Sequence, residues 1–113
     1  ENAKEAAACI QENLTFTKFS DSATLLKQDV FAALSSIHEK EADIIFMDPP
    51  YEADYHERLL DSLKEKPYVT ENTLLIMETS KDKSFDFAHQ AGFDVVKEKI
   101  YKTNKHVFLQ KTL

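Results

Sequence analysis

Asp48, Pro49, Pro50 and Tyr51 follow one another at the end of the apolar run "ADIIFM". Two consecutive prolines fix φ at two positions and remove two N–H donors, so the carbonyls of Asp48 and Pro49 project from a stiff segment. A carboxylate beside a fixed carbonyl makes a two-acceptor cradle. The exocyclic amino group of a nucleobase carries two N–H donors and a lone pair delocalised into the ring. Accepting from both hydrogens orients that nitrogen, restores its lone-pair density and holds it in line with an electrophilic methyl group. Tyr51 supplies a flat face for the base, worth about 1–3 kcal/mol in comparable stacks. Such chemistry needs the base out of its helix or already unpaired. The plain alternative is that Pro-Pro only ends the strand, Asp48 caps a turn and Tyr51 is an ordinary half-exposed aromatic.

The elements around this string favour the chemical reading. "ADIIFMD" is a continuous apolar run with two isoleucines, suited to a strand buried on both faces as in a parallel sheet. Asp54 and Glu57 then stand in the spacing of a capping box, and Tyr55, Leu59, Leu60 and Leu63 give the next helix an apolar stripe. Upstream, Ala3, Ala6, Ala7, Ile10 and Leu14 recur at helical spacing from Asn2 to about Asn13. "TFTKFSDS" reads as a loop or short extended piece, "ATLLKQD" as a strand, and "VFAALSSIHE" as a helix. Downstream, "NTLLIMETS" repeats the buried-strand signature and "SFDFAHQAGF" reads as a short helix stopped at Gly92. "DVVKEKIYKTNKHVFLQKT" reads as two strands joined by a tight turn around Thr103 and Asn104. Strands alternating with helices indicate an α/β fold, with a mostly parallel sheet and an antiparallel C-terminal hairpin. In such sheets ligands bind beyond the carboxyl ends of the strands, where Asp48, Pro49, Pro50 and Tyr51 lie.

At 113 residues the chain fits one domain, 1–113, with 42% hydrophobic residues for its core. The net charge of -6 argues against a wholly basic nucleic-acid module, yet from Lys97 onward five lysines face Glu98 alone. Lys97, Lys99, Lys102, Lys105 and Lys111 are candidates for RNA phosphates, and equally for solvated guards of a sheet edge. One cysteine, Cys9, excludes an internal disulfide, and its place on the apolar face of the first helix points to packed core rather than a nucleophile. His38, His56, His89 and His106 have no ligand spacing, so no metal site is expected. No apolar run approaches the ~20 residues of a membrane span, and a soluble cytoplasmic protein is the default expectation. The single glycine, Gly92, excludes every Gly-rich phosphate or dinucleotide loop within this chain.

"ADIIFMDPPY" closely resembles the fourth motif of amino-group methyltransferases that use S-adenosylmethionine. "ENAKEAAACIQENL", "LLKQDVFAAL" and "KTNKHVFLQK" resemble the bacterial RsmD-type family, which methylates guanine N2 of 16S ribosomal RNA. The resemblance runs the length of the chain and implies a Rossmann-like class I methyltransferase fold, truncated at its N-terminus. It also implies S-adenosylmethionine as cofactor, and ribosomal RNA or the small ribosomal subunit as partner. By the same carry-over Glu1 is the acidic residue that binds the cofactor's ribose hydroxyls, Asp29 the one beside its adenine, and Asp48, Pro49, Pro50 and Tyr51 the catalytic motif.

The family's Gly-rich loop, where the cofactor's methionine end sits, has no counterpart in this sequence, and neither do the family's first two strands. The resemblance therefore implies the C-terminal portion of an enzyme, inactive as an isolated chain. Two other expectations stand beside it: a non-catalytic α/β fragment or assembly piece, and a fragment of an N6-adenine or N4-cytosine DNA methyltransferase. In the family's sheet the two missing strands separate "ATLLKQD" from "ADIIFMD". Either these two strands then pair directly, or a second copy fills the gap and the chain is a homodimer through open strand edges.

Overall fold

The computed structural model describes every residue of the chain except Ala53. It divides into two compact units, Glu1–Ile37 and His38–Leu113.

The first unit opens with α1, Lys4–Phe16. The Glu1 carboxylate accepts from the Ala3 amide at 3.0 Å, placing an anion where the helix N-terminus favours one. The helix runs past Asn13 because Leu14 still points inward. It stops in a Schellman motif: the Phe19 amide donates to Leu14 O at 2.9 Å and the Lys18 amide to Thr15 O at 3.2 Å. Lys18 occupies the left-handed position with φ 63°. Only Ala7 of this helix is fully buried, and Cys9 is exposed, so the expectation of a core cysteine is corrected. A single 3-10 turn covers Ser20–Ser22. Residues 23–29 form no strand, contrary to expectation, because a ladder requires a partner and none is supplied. Leu26 O accepts from the Glu1 nitrogen at 3.1 Å, and Asp29 O accepts from the Ala33 amide at 2.9 Å at the start of the next helix. Then α2, Val30–Ser35, begins where expected, with Asp29 as its N-cap.

The second unit is a four-stranded sheet built from β1 (Ile44–Met47), β2 (Leu74–Ser80), β3 (Phe93–Ile100) and β4 (Asn104–Lys111), in the order β1-β2-β4-β3. One pairing, β1 with β2, is parallel, and α3 (Tyr55–Lys64) is its crossover. The pairings of β2 with β4 and of β4 with β3 are antiparallel, the last with a bulge between Val95 and Lys97, so the expectation of a mostly parallel sheet is corrected: the hairpin supplies two of the four strands. The terminal hairpin thus forms as the sequence indicates, with its second strand inserted inside the sheet. No strand from residues 23–29 joins this sheet, so the direct pairing of "ATLLKQD" with "ADIIFMD" does not form and β1 is an edge.

The core lies on one face. Leu75, Met77, Val107 and Leu109 of the sheet are fully buried together with Leu59, Leu60 and Leu63 of α3. The opposite face carries Ile44 and Phe46, which are 62% and 55% exposed. β1 is therefore buried on one face, not two: Ile45 and Met47 point inward and their neighbours outward. At the opposite end of the strands, fully buried Thr73 joins the starts of β1 and β2. Its hydroxyl donates to Ala42 O at 2.7 Å and accepts from the Thr70 amide at 3.0 Å.

Two local expectations are corrected. Asp54 is the N-cap residue of α3 but its side chain makes no capping bond, and Glu57, held by Lys83 at 3.0 Å, closes no reciprocal box. The stretch from Phe85 to Ala91 is a series of turns rather than a helix. Gly92 still ends it as expected: at φ +92° it lets the Phe93 amide reach Ala88 O at 2.9 Å.

Candidate active site

Asp48 ends β1. Because Met47 is the register partner of Met77, the residues that follow, Asp48 and Glu78, end up side by side. Glu78 is in turn the register partner of His106 on β4, and side chains in register share a face of the sheet. His106 Nε2 lies 2.8 Å from Glu78 Oε1, and its Nδ1 lies 3.3 Å from the Tyr101 hydroxyl. The Phe46 ring meets the imidazole edge-on at 5.6 Å. Asp48, Glu78, His106 and Tyr101 thus form a polar chain that starts at the carboxyl end of the β1–β2 pair.

Electrostatics mark Asp48. Partial desolvation, then the negative Glu78 beside it, raise its pKa above the ordinary carboxylate value, while His106 acts in the lowering direction. A carboxyl beside a second carboxylate receives hydrogens from an amine in its ionised form, the form that the Glu78 charge disfavours and His106 favours.

Pro49 is buried and anchors the turn, Pro50 is exposed, and the Tyr51 ring is 66% exposed and open to stacking. Tyr51, Glu52, His56, Thr79, Ser80 and Lys83 line a recess of about 120 Å³. Ligand pockets usually measure about 300–1,000 Å³, so this recess is too small to enclose a whole ligand. His56, on α3, is buried at its floor and meets Phe85 edge-on at 5.8 Å. Burial lowers its pKa, the Lys83 charge adds to that, and the backbone of Glu78 and the carboxylate of Glu57 oppose it.

Glu1 and Asp29 belong to the first unit. Each is exposed and uses one carboxylate oxygen on the backbone: Glu1 Oε2 on the Ala3 amide and Asp29 Oδ2 on the Phe31 amide, both at 3.0 Å. The expectation for these two residues is the adenosine end of S-adenosylmethionine. Nothing among the described residues offers the backbone donors of a Gly-rich loop for the methionine end of such a cofactor, since the one glycine closes a turn at Phe93.

The C-terminal lysines divide. Lys105 is buried against Glu98 at 2.8 Å, and Lys111 donates to Val69 O at 3.3 Å, so both serve the fold. Lys97 and Lys99 are exposed, and their register partners Phe108 and His106 place them on the same sheet face as Glu78. Lys102, in the hairpin turn, is exposed as well.

Sequence reasoning passed over Glu78, His106 and Tyr101. The signal available was polarity inside apolar strands: Glu78 interrupts "LLIMETS" and His106 interrupts "KHVFLQK". Without the register nothing connected them.

Among the described residues no helix is long and apolar enough to cross a membrane. No curated protein matches the chain. Solved structures do. A candidate methylase, HI0767 from Haemophilus influenzae, is 25% identical with a TM-score of 0.79 over 100% of this chain and 70% of its own. A conserved hypothetical protein from Streptococcus pyogenes is 29% identical with a TM-score of 0.83, over 98% of this chain and 68% of its own. A candidate methyltransferase, yhhF from Escherichia coli, shares the fold at 18% identity and a TM-score of 0.75, over 99% of this chain and 60% of its own. The family model described as conserved hypothetical protein 95 matches residues 1–110. With a sheet order and strand-end motif of this kind, the chain has a Rossmann-like methyltransferase fold and belongs to the RsmD-like family described as conserved hypothetical protein 95.

Proposed function

We propose that the protein is an S-adenosylmethionine-dependent methyltransferase acting on an exocyclic amino group of a nucleobase, guanine N2 of 16S ribosomal RNA in the small ribosomal subunit. The observation that carries this reading is Asp48 at the carboxyl end of β1, paired with Glu78 and followed by a proline-stiffened turn that presents Tyr51 to solvent. A base stacked on Tyr51 sets its amino group against Asp48 and the Pro49 carbonyl, which accept its two hydrogens. The nitrogen lone pair is then directed away from both acceptors. When bound, S-adenosylmethionine supplies an electrophilic methyl group; Glu1 and Asp29 would hold its adenosine end. Transfer of that methyl would break the cofactor's S–CH3 bond and release its thioether, and Asp48 would be the base within reach of the proton that the nitrogen gives up. Lys97, Lys99 and Lys102 supply positive charge for the RNA backbone. The choice of RNA and of guanine is supported by the family resemblance. Methylation of small ribosomal subunits by the full-length protein, followed by nucleoside mass spectrometry, tests it. The expected product is N2-methylguanosine; N6-methyladenosine or N4-methylcytidine instead would overturn the substrate assignment.

The exposed Ile44 and Phe46 on edge strand β1 favour a second reading for the chain as an assembly piece, in which a second copy pairs along that edge. Light scattering of the isolated chain tests it: a dimer that Phe46→Lys converts to monomer supports edge pairing, and a monomer at all concentrations excludes it.

A further inference from the structure

The polar chain behind Asp48 does more than decorate a strand end. Glu78 and His106 sit opposite one another across β2 and β4, and their side chains meet at 2.8 Å with about a quarter of each exposed. The imidazole is engaged at both nitrogens, by Glu78 and by the Tyr101 hydroxyl, and Phe46 and Tyr101 meet its ring edge-on at 5.6 and 5.0 Å. An imidazole fixed on every side has one property left to vary, its charge.

We infer that Glu78 and His106 are positioning residues for Asp48: the imidazole, held between Glu78 and the Tyr101 hydroxyl, fixes the Glu78 carboxylate beside Asp48 and balances its charge, so that the pair sets how Asp48 holds the substrate's amino group. The inference rests on the reading of Asp48 as the amino-group acceptor. Around Asp48 the charged groups are Glu78 from β2 and His106 from β4. Around His106 they are Glu78 from β2, Lys99 from its register position on β3, and Tyr101 from the hairpin turn, with Lys97 one register step further at Phe108. An uncompensated Glu78 carboxylate favours the protonated, non-accepting form of Asp48. A protonated His106 offsets that charge and favours the carboxylate. His106 therefore offsets part of the upward shift that burial and Glu78 impose on Asp48.

The consequence is a pair of opposed displacements. In the full-length protein, Glu78→Gln removes the like charge, and the acid limb of the kcat/KM profile moves to lower pH. His106→Gln leaves Glu78 uncompensated, and the same limb moves to higher pH. A purely structural role lowers the rate in both variants without moving the limb in opposite senses. A second measurement needs neither variants nor turnover: in the wild-type chain, the ¹³C signal of the Asp48 carboxyl should titrate in more than one step, as a carboxyl coupled to neighbouring charges does. An Asp48 signal that titrates in one step, or acid limbs unmoved in both variants while Asp48→Asn is inactive, would overturn the inference and leave the reading of Asp48 intact. Wild-type turnover by Asp48→Asn would overturn that reading, and this inference with it.

Discussion

Asp48, just past the end of β1, and Glu78, inside the neighbouring parallel strand β2, lie side by side one residue beyond the register pair Met47 and Met77, so that two carboxylates share one face of the sheet. Such an arrangement costs the fold something, and the cost depends on pH.

Partial desolvation and the Glu78 charge raise the pKa of Asp48 in the folded chain above its unfolded value. The folded state then holds this proton more tightly than the unfolded state. The stabilising contribution is complete below the unfolded pKa and is lost as pH rises through the raised folded value. Asp48→Asn, which cannot ionise, is expected to have a higher melting temperature than wild type at neutral pH. The difference should vanish in acid; a variant less stable than wild type at pH 7 would contradict the assignment.

His56 has the opposite sign. Burial and Lys83 depress its folded pKa, so the unfolded chain takes up the proton first. Stability present above about pH 6.5 is lost as pH falls below it, toward the depressed folded value. Neither ring nitrogen makes a hydrogen bond among the described residues, and the ring already packs against Phe85. His56→Phe should stabilise by an amount of order 1 kcal/mol at pH 7, the scale of a buried unsatisfied group. The gain should grow toward pH 5, as read from urea unfolding at the two pH values.

Thr73 gives a test at the far end of the same strands. Thr73→Val keeps the shape but strips Ala42 O and the Thr70 amide of their partner. A loss of about 1–3 kcal/mol is expected in the same urea assay. A neutral substitution would mean that the hydroxyl does not clamp β1 to β2.

Lys18 holds the left-handed position that ends α1, at φ 63°. Glycine adopts this conformation without the β-carbon penalty, though it has more freedom to lose on folding. Lys18→Gly should therefore stabilise the first unit by about 0.5–1 kcal/mol. Helical content followed by circular dichroism during thermal unfolding would show it as a raised midpoint.

Local signals in the sequence located most elements, and the failures share one cause. Gly92 could be read as a stop because a left-handed turn is a property of one residue. Asp29 before "VFAAL" likewise announced a helix start. Whether "ATLLKQD" becomes a strand depends instead on a partner elsewhere in the chain. The burial of "IIFM" depends on what covers each face, which is why Ile44 and Phe46 stand exposed despite their apolarity. Glu57 looked like half of a capping box until Lys83, distant in sequence, took it. The site divides in the same way. Asp48 to Tyr51 are contiguous and legible as a motif, whereas Glu78 and His106 join them only through the pairings of β1, β2 and β4.

The account stands most directly on the carboxylate of Asp48. With the full-length protein and small ribosomal subunits, transfer of a radiolabelled methyl group should fall about 100-fold or more in Asp48→Ala, with binding of S-adenosylmethionine nearly unchanged, because one of the two acceptors that orient the amino group is gone. Turnover near wild type in a folded Asp48→Ala protein would contradict it and leave the Pro-Pro segment as no more than the end of a strand.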